Sequence, residues 1–268
     1  MKVMVDGIHY HVEMCGEGFP LLLLHGFTGD GSTWGPYRHV WGQHSRLIIP
    51  DIIGHGNTDA PDDLNRYQID AVAADMVNIL DQLGVKQVDI LGYSMGGRLA
   101  LTFALLYPER VRKLILESAS PGLPTEEERQ ERRNKDADLA KLINEQGILS
   151  FVDYWENIPL FSTMNALSDS VKETIRKQRL ANSPEGLANS LLGMGTGSQP
   201  SWWEDLDKLS CDILVLAGEK DKKFCRIAEK IKINSRKASL IIFHESGHAI
   251  HVEDLEKFGT IVSDFLLK

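Results

Sequence analysis

The sequence is poor in cysteine and has none of the spacings that cysteine chemistry requires. Only Cys15, Cys211 and Cys225 occur among 268 residues, with no C-x-x-C pair and no histidine placed to complete a ligand set. A disulfide framework is therefore excluded, and an odd number of free thiols suits a reducing compartment. The N-terminus also lacks the apolar stretch of a signal peptide, so we expect a cytoplasmic protein.

Long hydrophobic runs and an excess of basic residues are missing as well. The longest apolar run near the start covers Pro20 to Leu24, which is far too short to cross a bilayer. The net charge is −9, and a surface of that sign repels nucleic acid and anionic membranes. We therefore expect no nucleic-acid or membrane partner, and either a monomer or a weak homo-oligomer.

Cofactor signatures are also missing from the sequence. No G-x-G-x-x-G follows the first apolar strand, and no G-x-x-x-x-G-K-[ST] occurs anywhere in the chain. His9 and His11 alternate along a predicted strand, but no third ligand accompanies them. The sequence therefore predicts neither an organic cofactor nor a metal site.

Short apolar strands alternate with helical segments along most of the chain. Leu21–Leu24 is a continuous apolar run typical of a strand buried on both faces, whereas Ile69 to Leu83 has apolar residues at helical spacing and stops at Gly84. This alternation predicts an α/β fold with a mostly parallel sheet flanked by helices. The other predicted strands are 1–5, 9–14, 46–50, 88–91, 111–117, 213–217 and 240–243, and the other helices are 96–107, the segment from Phe224, and 255–267.

The alternation is interrupted between Pro121 and about Trp203, where no strand of any length can be recognised. Helical segments are predicted there instead, at 126–143, 148–155, 168–180 and 184–192, separated by Pro159 and Pro184. The sequence therefore predicts a helical cap at 121–203, inserted into a core made of residues 1–120 and 204–268.

The segment Gly92-Tyr93-Ser94-Met95-Gly96 matches the pattern G-x-S-x-G in the context that gives it meaning. It lies directly between a predicted strand and a predicted helix. Its glycines allow a tight turn that exposes the hydroxyl of Ser94. The Met95 amide then lies at the helix N-terminus, where it can stabilise a developing oxyanion. We predict that Ser94 is the reactive residue.

A serine hydroxyl needs an imidazole and an orienting carboxylate to react at neutral pH. His248 lies in a loop after the last predicted strand, and Asp221 follows the strand at 213–217, which gives the chain order serine, acid, histidine. His251 is the competitor for the base. The weaker candidates for the acid are Glu219 and Asp205.

A second oxyanion donor is expected in the loop after an early strand. His25-Gly26-Phe27 follows Leu21–Leu24, so the Phe27 amide is the candidate. His55, in Gly54-His55-Gly56 after the next strand, is interpreted as a structural turn residue.

These motifs together resemble the α/β-hydrolase superfamily over essentially the whole chain. A narrower resemblance is to the 2-succinyl-6-hydroxy-2,4-cyclohexadiene-1-carboxylate (SHCHC) synthases of menaquinone (vitamin K2) biosynthesis. The residues that carry the narrower resemblance are Tyr93 before the serine, Arg98 after Gly96-Gly97, the segment from Glu117 to Leu123, Glu131-Arg132-Arg133, and Gln178-Arg179.

The resemblance implies a lyase that uses the triad serine as a base, expels pyruvate and needs no cofactor. Its substrate is small and polyanionic, and arginine suits carboxylates because it donates two parallel hydrogen bonds. The implied carboxylate anchors are Arg98, Arg132 and Arg179, with Arg133 left open as an alternative to Arg132. The implied aromatic residues are Tyr93 and Trp155, with Tyr154 beside the latter and with Phe27 as a further wall of the pocket.

Two other functions fit the same scaffold. A serine hydrolase, either an esterase or a carbon–carbon bond hydrolase acting on a small carboxylate-bearing substrate, would carry the same triad. A non-enzymatic ligand receptor would have no use for a complete triad. The arginines favour the lyase, because a neutral ester does not need three guanidinium groups.

Overall fold

The computed structural model describes residues 1–268 and is built around one eight-stranded sheet. The strand order is β1-β2-β4-β3-β5-β6-β7-β8; β1 pairs with β2 and β2 with β4 in antiparallel fashion, and all later pairs are parallel. This confirms the mostly parallel sheet. The strands are β1 Lys2–Val5, β2 Ile8–Cys15, β3 Phe19–Leu24, β4 Ser45–Pro50, β5 Val88–Tyr93, β6 Val111–Glu117, β7 Asp212–Gly218 and β8 Ala238–Phe243.

The central strand β3 shows why its sequence is apolar without interruption. Leu22 and Leu24 point into the larger hydrophobic cluster on one face of the sheet, whereas Leu21 and Leu23 point into the cluster on the other face. All four side chains are fully buried. Successive side chains of a strand face opposite sides, so helices on both faces leave no position for a polar residue.

Helices cover both faces of this sheet. The core helices are α1 Arg38–Trp41, α2 Ile69–Gln82, α3 Met95–Leu106, α7 Lys222–Asn234, α8 Ile250–Glu253 and α9 Leu255–Leu267. Helix α2 ends at Gln82, one residue before the predicted end at Leu83. Gly84 follows with φ +69°, a left-handed conformation that stops a helix. None of the helices combines the length and apolar content needed to span a bilayer.

The segment between β6 and β7 forms a helical layer over the carboxyl edge of the sheet. It contains α4 Glu126–Trp155, α5 Asp169–Leu180 and α6 Pro184–Met194. Gly147 breaks α4 with φ +79°, which accounts for the two helices predicted there. Ile143, Phe151 and Leu187 belong to a separate hydrophobic cluster within these helices. The exact limits of core and cap, 121 and 203, stay a prediction.

Candidate active site

The turn from β5 into α3 holds Ser94 in a strained conformation. Its backbone angles are φ +51° and ψ −104°, which for a residue other than glycine costs on the order of 1–3 kcal/mol. The neighbouring glycines are sterically required, since a Cβ on Gly92 would lie 2.2 Å from the carbonyl oxygen of Gly96, and one on Gly96 would lie 2.2 Å from that of Leu24. The strand and the helix therefore approach closely enough to expose the Ser94 hydroxyl.

Ser94, His248 and Asp221 form a continuous hydrogen-bonded chain. His248 Nε2 lies 3.0 Å from Ser94 Oγ, and His248 Nδ1 lies 2.8 Å from Asp221 Oδ2. A carboxylate only accepts hydrogen bonds, so the ring proton belongs on Nδ1 and leaves Nε2 free to take the serine proton. The arrangement fits a serine activated by a histidine base.

The acid and the base are brought together by a direct contact between two backbones. A Cβ on Gly218, at the end of β7, would lie 2.0 Å from the carbonyl oxygen of Gly247, so no side chain fits between strand and loop. Asp221 also caps α7 by accepting a hydrogen bond from the Phe224 amide at 3.1 Å. The carboxylate is therefore fixed from two sides before it meets His248.

The competing candidates lie away from Ser94. His251 is buried and bonds through Nδ1 to Glu117 Oε1 at 2.9 Å. Glu219 pairs at the surface with His244, and Asp205 pairs with a neighbouring lysine. None of these side chains forms a hydrogen bond to the serine.

The turn that follows β3 sets the direction of the Phe27 N–H. Gly29 N donates to Gly26 O at 3.0 Å and closes a turn, with Thr28 left-handed at φ +68° in the third position, as a type II turn requires. His25 Nε2 accepts from Ile52 N, so His25 Nδ1 carries the proton that it donates to Gly26 O at 2.8 Å.

The Gly26 carbonyl is thus held by two donors. In a trans peptide the N–H points opposite to the C=O, so the Phe27 N–H points away from them. That N–H has no backbone acceptor, and Phe27 and Met95 both line the cavity above Ser94. The Met95 amide is the first of α3, where no carbonyl lies one turn earlier. Two amides are therefore available for a developing oxyanion.

His55 has no position from which to act on a substrate. It is buried, burial lowers its pKa to about 3, and its Nδ1 lies 3.0 Å from Ile53 O. Its ring packs edge-on against Phe27 at 5.8 Å between centroids. This contact supports the turn formed by Gly26–Gly29, here called the oxyanion loop, and fits the structural role predicted for His55.

A cavity of about 540 Å³ opens over the serine, between the sheet edge and the helical layer. Trp155 faces this cavity, with its ring 5.3 Å from that of Phe27, whereas the neighbouring Tyr154 is about half exposed at the surface. Trp155 is thus the residue of the two that lines the cavity. The predicted residues that line it are Phe27, Tyr93, Ser94, Met95, Arg98, Arg132, Trp155 and His248.

Arg98 lies one helical turn beyond Ser94 and has no carboxylate partner. Its Nη1 donates to Met194 O and to Gln199 Oε1, both at 2.6 Å. Burial, with the nearby charge of Arg132, lowers the pKa of Arg98. A bound anion would stabilise the charged guanidinium and so offset both effects, which favours a carboxylate at this position.

The structure distinguishes between the two neighbouring cap arginines. Arg132 lines the cavity and donates through Nε to Asp136 Oδ1 at 2.8 Å, which leaves its two terminal nitrogens free of ion pairs. Arg133 instead bonds to Gly197 O and to Glu126 at the surface. Arg132 is therefore the better placed of the two.

Arg179 is not brought into the same cavity. It lines a neighbouring cavity of about 340 Å³, and its guanidinium lies 5.0 Å from the ring centroid of Phe161. Phe27, Tyr93 and Phe161 border both cavities and form the partition between them. Arg179 is only 6 % exposed, has no ion pair, and burial lowers its pKa. It therefore presents an unpaired charge behind the partition.

Sequence reasoning missed a basic side of α7 and one aromatic wall. Lys223, Arg226 and Lys230 line the mouth of the main cavity, three and four residues apart on one side of the helix. Residues at this spacing lie on one side of a helix, so the sequence did contain a pattern that could have identified them. Phe161, which packs near His248 and Trp155, comes from a 3₁₀ segment with no periodic pattern and gave none.

The chain is similar to known proteins over nearly its whole length. Residues 20–255 match the alpha/beta hydrolase fold family. A Bacillus subtilis protein provisionally named SHCHC synthase is 45 % identical over 97 % of this chain and 96 % of its own length. A 2-hydroxymuconate semialdehyde hydrolase of Pseudomonas sp. is 29 % identical over 99 % of this chain and 93 % of its own length.

The structure also resembles a solved relative. MenH from S. aureus superimposes with a TM-score of 0.92 at 36 % sequence identity, covering 96 % of this chain and 97 % of that one. This chain therefore belongs to the alpha/beta hydrolase fold family, and within that family it resembles the SHCHC synthases.

Proposed function

We propose that this protein eliminates pyruvate from 2-succinyl-5-enolpyruvyl-6-hydroxy-3-cyclohexene-1-carboxylate to give SHCHC in menaquinone biosynthesis. The similarity to the B. subtilis protein and to S. aureus MenH supports the pathway. The observation that carries the reaction is the set of guanidinium groups around the candidate triad, two of which have no carboxylate partner in the protein.

The names of substrate and product define the bonds that change. The substrate has a ring double bond between carbons 3 and 4, a hydrogen on carbon 2 and the enolpyruvyl oxygen on carbon 5. The product is a 2,4-diene. Loss of the carbon 2 proton and of the carbon 5 oxygen therefore shifts the double bond and releases enolpyruvate, which takes up a proton to become pyruvate.

In the proposed reaction Ser94 acts as the base. Its hydroxyl proton passes to His248 Nε2, 3.0 Å away, and its oxygen takes the carbon 2 proton. The resulting negative charge spreads onto the adjacent succinyl carbonyl oxygen. The amides of Phe27 and Met95 are the donors for that oxygen, and donors fixed in advance stabilise a charge that develops only in the transition state.

The three carboxylates of the substrate need three cationic positions. Arg98 and Arg132 supply two of them at the wall of the main cavity. Arg179 is the third, and because it lies behind the partition of Phe27, Tyr93 and Phe161, one carboxylate of the substrate would have to pass that partition to reach it. Charge-assisted hydrogen bonds of this kind contribute about 1.5–3 kcal/mol each. Uneven spacing of the arginines would fix the orientation of the ring over Ser94.

A serine hydrolase is the second candidate function. The triad distances suit a nucleophile as well as a base, and the Pseudomonas hydrolase is 29 % identical across almost the whole chain. In that case Ser94 would form a covalent acyl-enzyme, which the elimination does not require.

The deciding experiment supplies the enolpyruvyl substrate and follows pyruvate with lactate dehydrogenase and NADH, with a p-nitrophenyl ester assayed in parallel. We expect fast pyruvate release and slow ester cleavage. In Arg98→Ala, pyruvate release should fall about 10–100-fold while ester cleavage changes little, because the lost contact is to a carboxylate. Ester turnover without pyruvate, or equal losses in the variant, would favour the hydrolase.

A further inference from the structure

Asn182 links the helical layer to two loops of the core. The residue lies just beyond α5 and is 4 % exposed. Its Oδ1 accepts from Gly56 N at 3.0 Å, and its Nδ2 donates to Thr28 O at 2.9 Å and to Gln178 O at 3.0 Å. One amide side chain therefore joins the cap to the loops that follow β3 and β4.

The carbonyl that Asn182 holds belongs to the turn that orients the Phe27 amide. Thr28 is β-branched and left-handed, a conformation that threonine adopts only when its surroundings impose it. That conformation places Gly29 N on Gly26 O, and so sets the direction of the Phe27 N–H. Asn182 is the contact from the cap that holds Thr28 at this point.

A second contact from the same helix reinforces the arrangement. Gln178 Nε2 donates to Asp30 Oδ1 at 2.8 Å, to Ser32 Oγ at 2.9 Å and to Thr33 Oγ1 at 3.1 Å. Gln178 is next to Arg179, which is buried against Phe161 and forms no ion pair. The end of this helix is thus bonded to Thr28 through Asn182 and, through Gln178, to the segment Asp30–Thr33 that follows the turn.

We propose that Asn182 is a positioning residue for the oxyanion site: by bonding the Thr28 carbonyl it aligns the Phe27 N–H with the oxygen above Ser94. Packing of the cap against the core and alignment of the Phe27 N–H then occur together. The inference depends on the proposed function only for the identity of that oxygen. A purely structural tether would lower stability and leave the transition state unaffected, so kinetics separate the two roles.

Asn182→Asp is the sharpest variant. It keeps the shape of the side chain and an acceptor for Gly56 N, but it replaces the donor to Thr28 O with a second acceptor. The matched control is Asn189→Asp. Asn189 Nδ2 also donates from the cap to a core carbonyl, Pro61 O at 3.1 Å, but that loop carries no oxyanion donor.

Two readouts are measured for each variant, after thermal unfolding has shown that it folds. The first is kcat and KM for pyruvate release. The second is the Kd of phenylboronic acid by calorimetry. Ser94 Oγ adds to the trigonal boron while its proton passes to His248, and a hydroxyl oxygen of the resulting tetrahedral boronate anion would occupy the same site. We expect Asn182→Asp to lower kcat and boronate affinity at least tenfold with KM within twofold, and Asn189→Asp to change each by less than twofold.

Either of two results would overturn the proposal: unchanged kcat and boronate affinity in Asn182→Asp, or equal losses in Asn189→Asp. If Asn182→Asp does not fold, Gln178→Met removes the Nε2 amide group, and with it the three hydrogen-bond contacts to Asp30, Ser32 and Thr33, without adding charge. It should lower kcat and boronate affinity at least threefold, and no loss would again overturn the proposal. The boronate titration decides the matter even if the wild-type protein releases no pyruvate.

Discussion

Two buried histidine–carboxylate pairs lie side by side beneath the cavity, and only one of them faces a hydroxyl. His248 is 2.8 Å from Asp221 and His251 is 2.9 Å from Glu117. All four side chains are almost completely buried. The ring of Tyr93 lies against both histidines, at 5.5 and 4.5 Å between centroids.

The difference lies in what surrounds each pair. The second nitrogen of His248 meets Ser94 Oγ at the cavity floor. His251 instead directs both its ring Nδ1 and its backbone N to the same oxygen, Glu117 Oε1. The carbonyl of Glu117 in turn accepts a hydrogen bond from Ser94 N at 2.8 Å. One pair is thus arranged for proton transfer and the other for joining the histidine loop to β6 behind the serine turn.

The largest expected effect is on kcat, which replacement of His248 should lower far more than replacement of His251. His248→Asn cannot accept the serine proton, so we expect kcat for pyruvate release to fall by about 10³-fold or more. His251→Asn should lower kcat by less than about tenfold, because no reacting atom meets that ring. Steady-state kinetics on both variants test this, and comparable losses would show that the second pair also takes part in proton transfer.

Replacement of the carboxylate in each pair should likewise lower kcat more at Asp221 than at Glu117. Asp221→Asn presents an amide to His248 Nδ1 and disturbs the tautomer, so kcat should fall by roughly 10²–10⁴-fold. Glu117→Gln retains an acceptor for the two donors of His251, and kcat should stay within an order of magnitude. A greater loss in Glu117→Gln than in Asp221→Asn would reverse the assignment of the acid.

The free energy of unfolding should show the opposite order, with a greater loss in His251→Asn than in His248→Asn. His251→Asn leaves Glu117 buried with a weaker partner, and we expect a loss of about 1–3 kcal/mol in the free energy of unfolding. The melting temperature should fall by roughly 2–4 °C for each kcal/mol lost. Urea unfolding measures the difference, with His248→Asn as the comparison. Greater destabilisation in the latter would contradict a structural role for the second pair.

The smallest effect is expected at a third pair, on the surface. His244 and Glu219 are 3.2 Å apart and well exposed, so solvent screens their interaction. Glu219→Gln should leave both the melting temperature and kcat at the wild-type values. A substantial fall in kcat would instead make Glu219 a partner of the base, in place of Asp221.

Local patterns explain which parts of this site were predictable. Ser94 was identified because glycines on both sides of a serine, between a strand and a helix, leave few other backbone solutions. Asp221 and His248 followed from their positions after β7 and β8. Separate helices were predicted at 126–143 and 148–155, and the break in α4 lies between them, at the left-handed Gly147.

Other features depend on contacts between distant parts of the chain. The bond from Asn182 to Thr28 joins residues 154 positions apart, and no motif marks either end. The separation of Arg179 from Arg98 depends on the packing of Phe161 with Tyr93 and Ala249 between the two cavities. The tautomer of His25 depends on the amide of Ile52, in the loop that follows β4. A single sequence does not encode such pairs as local patterns.

The way the chain enters and leaves the helical layer has an engineering consequence. It leaves the sheet after β6 and returns at β7, and these two strands are hydrogen-bonded neighbours in register from Lys113 with Asp212 to Glu117 with Leu216. The segment could therefore be exchanged for one of different length without moving the strands that hold Ser94 and Asp221. A transplanted segment would still have to bring its own amide to Thr28, which makes that position the first to check in a chimaera.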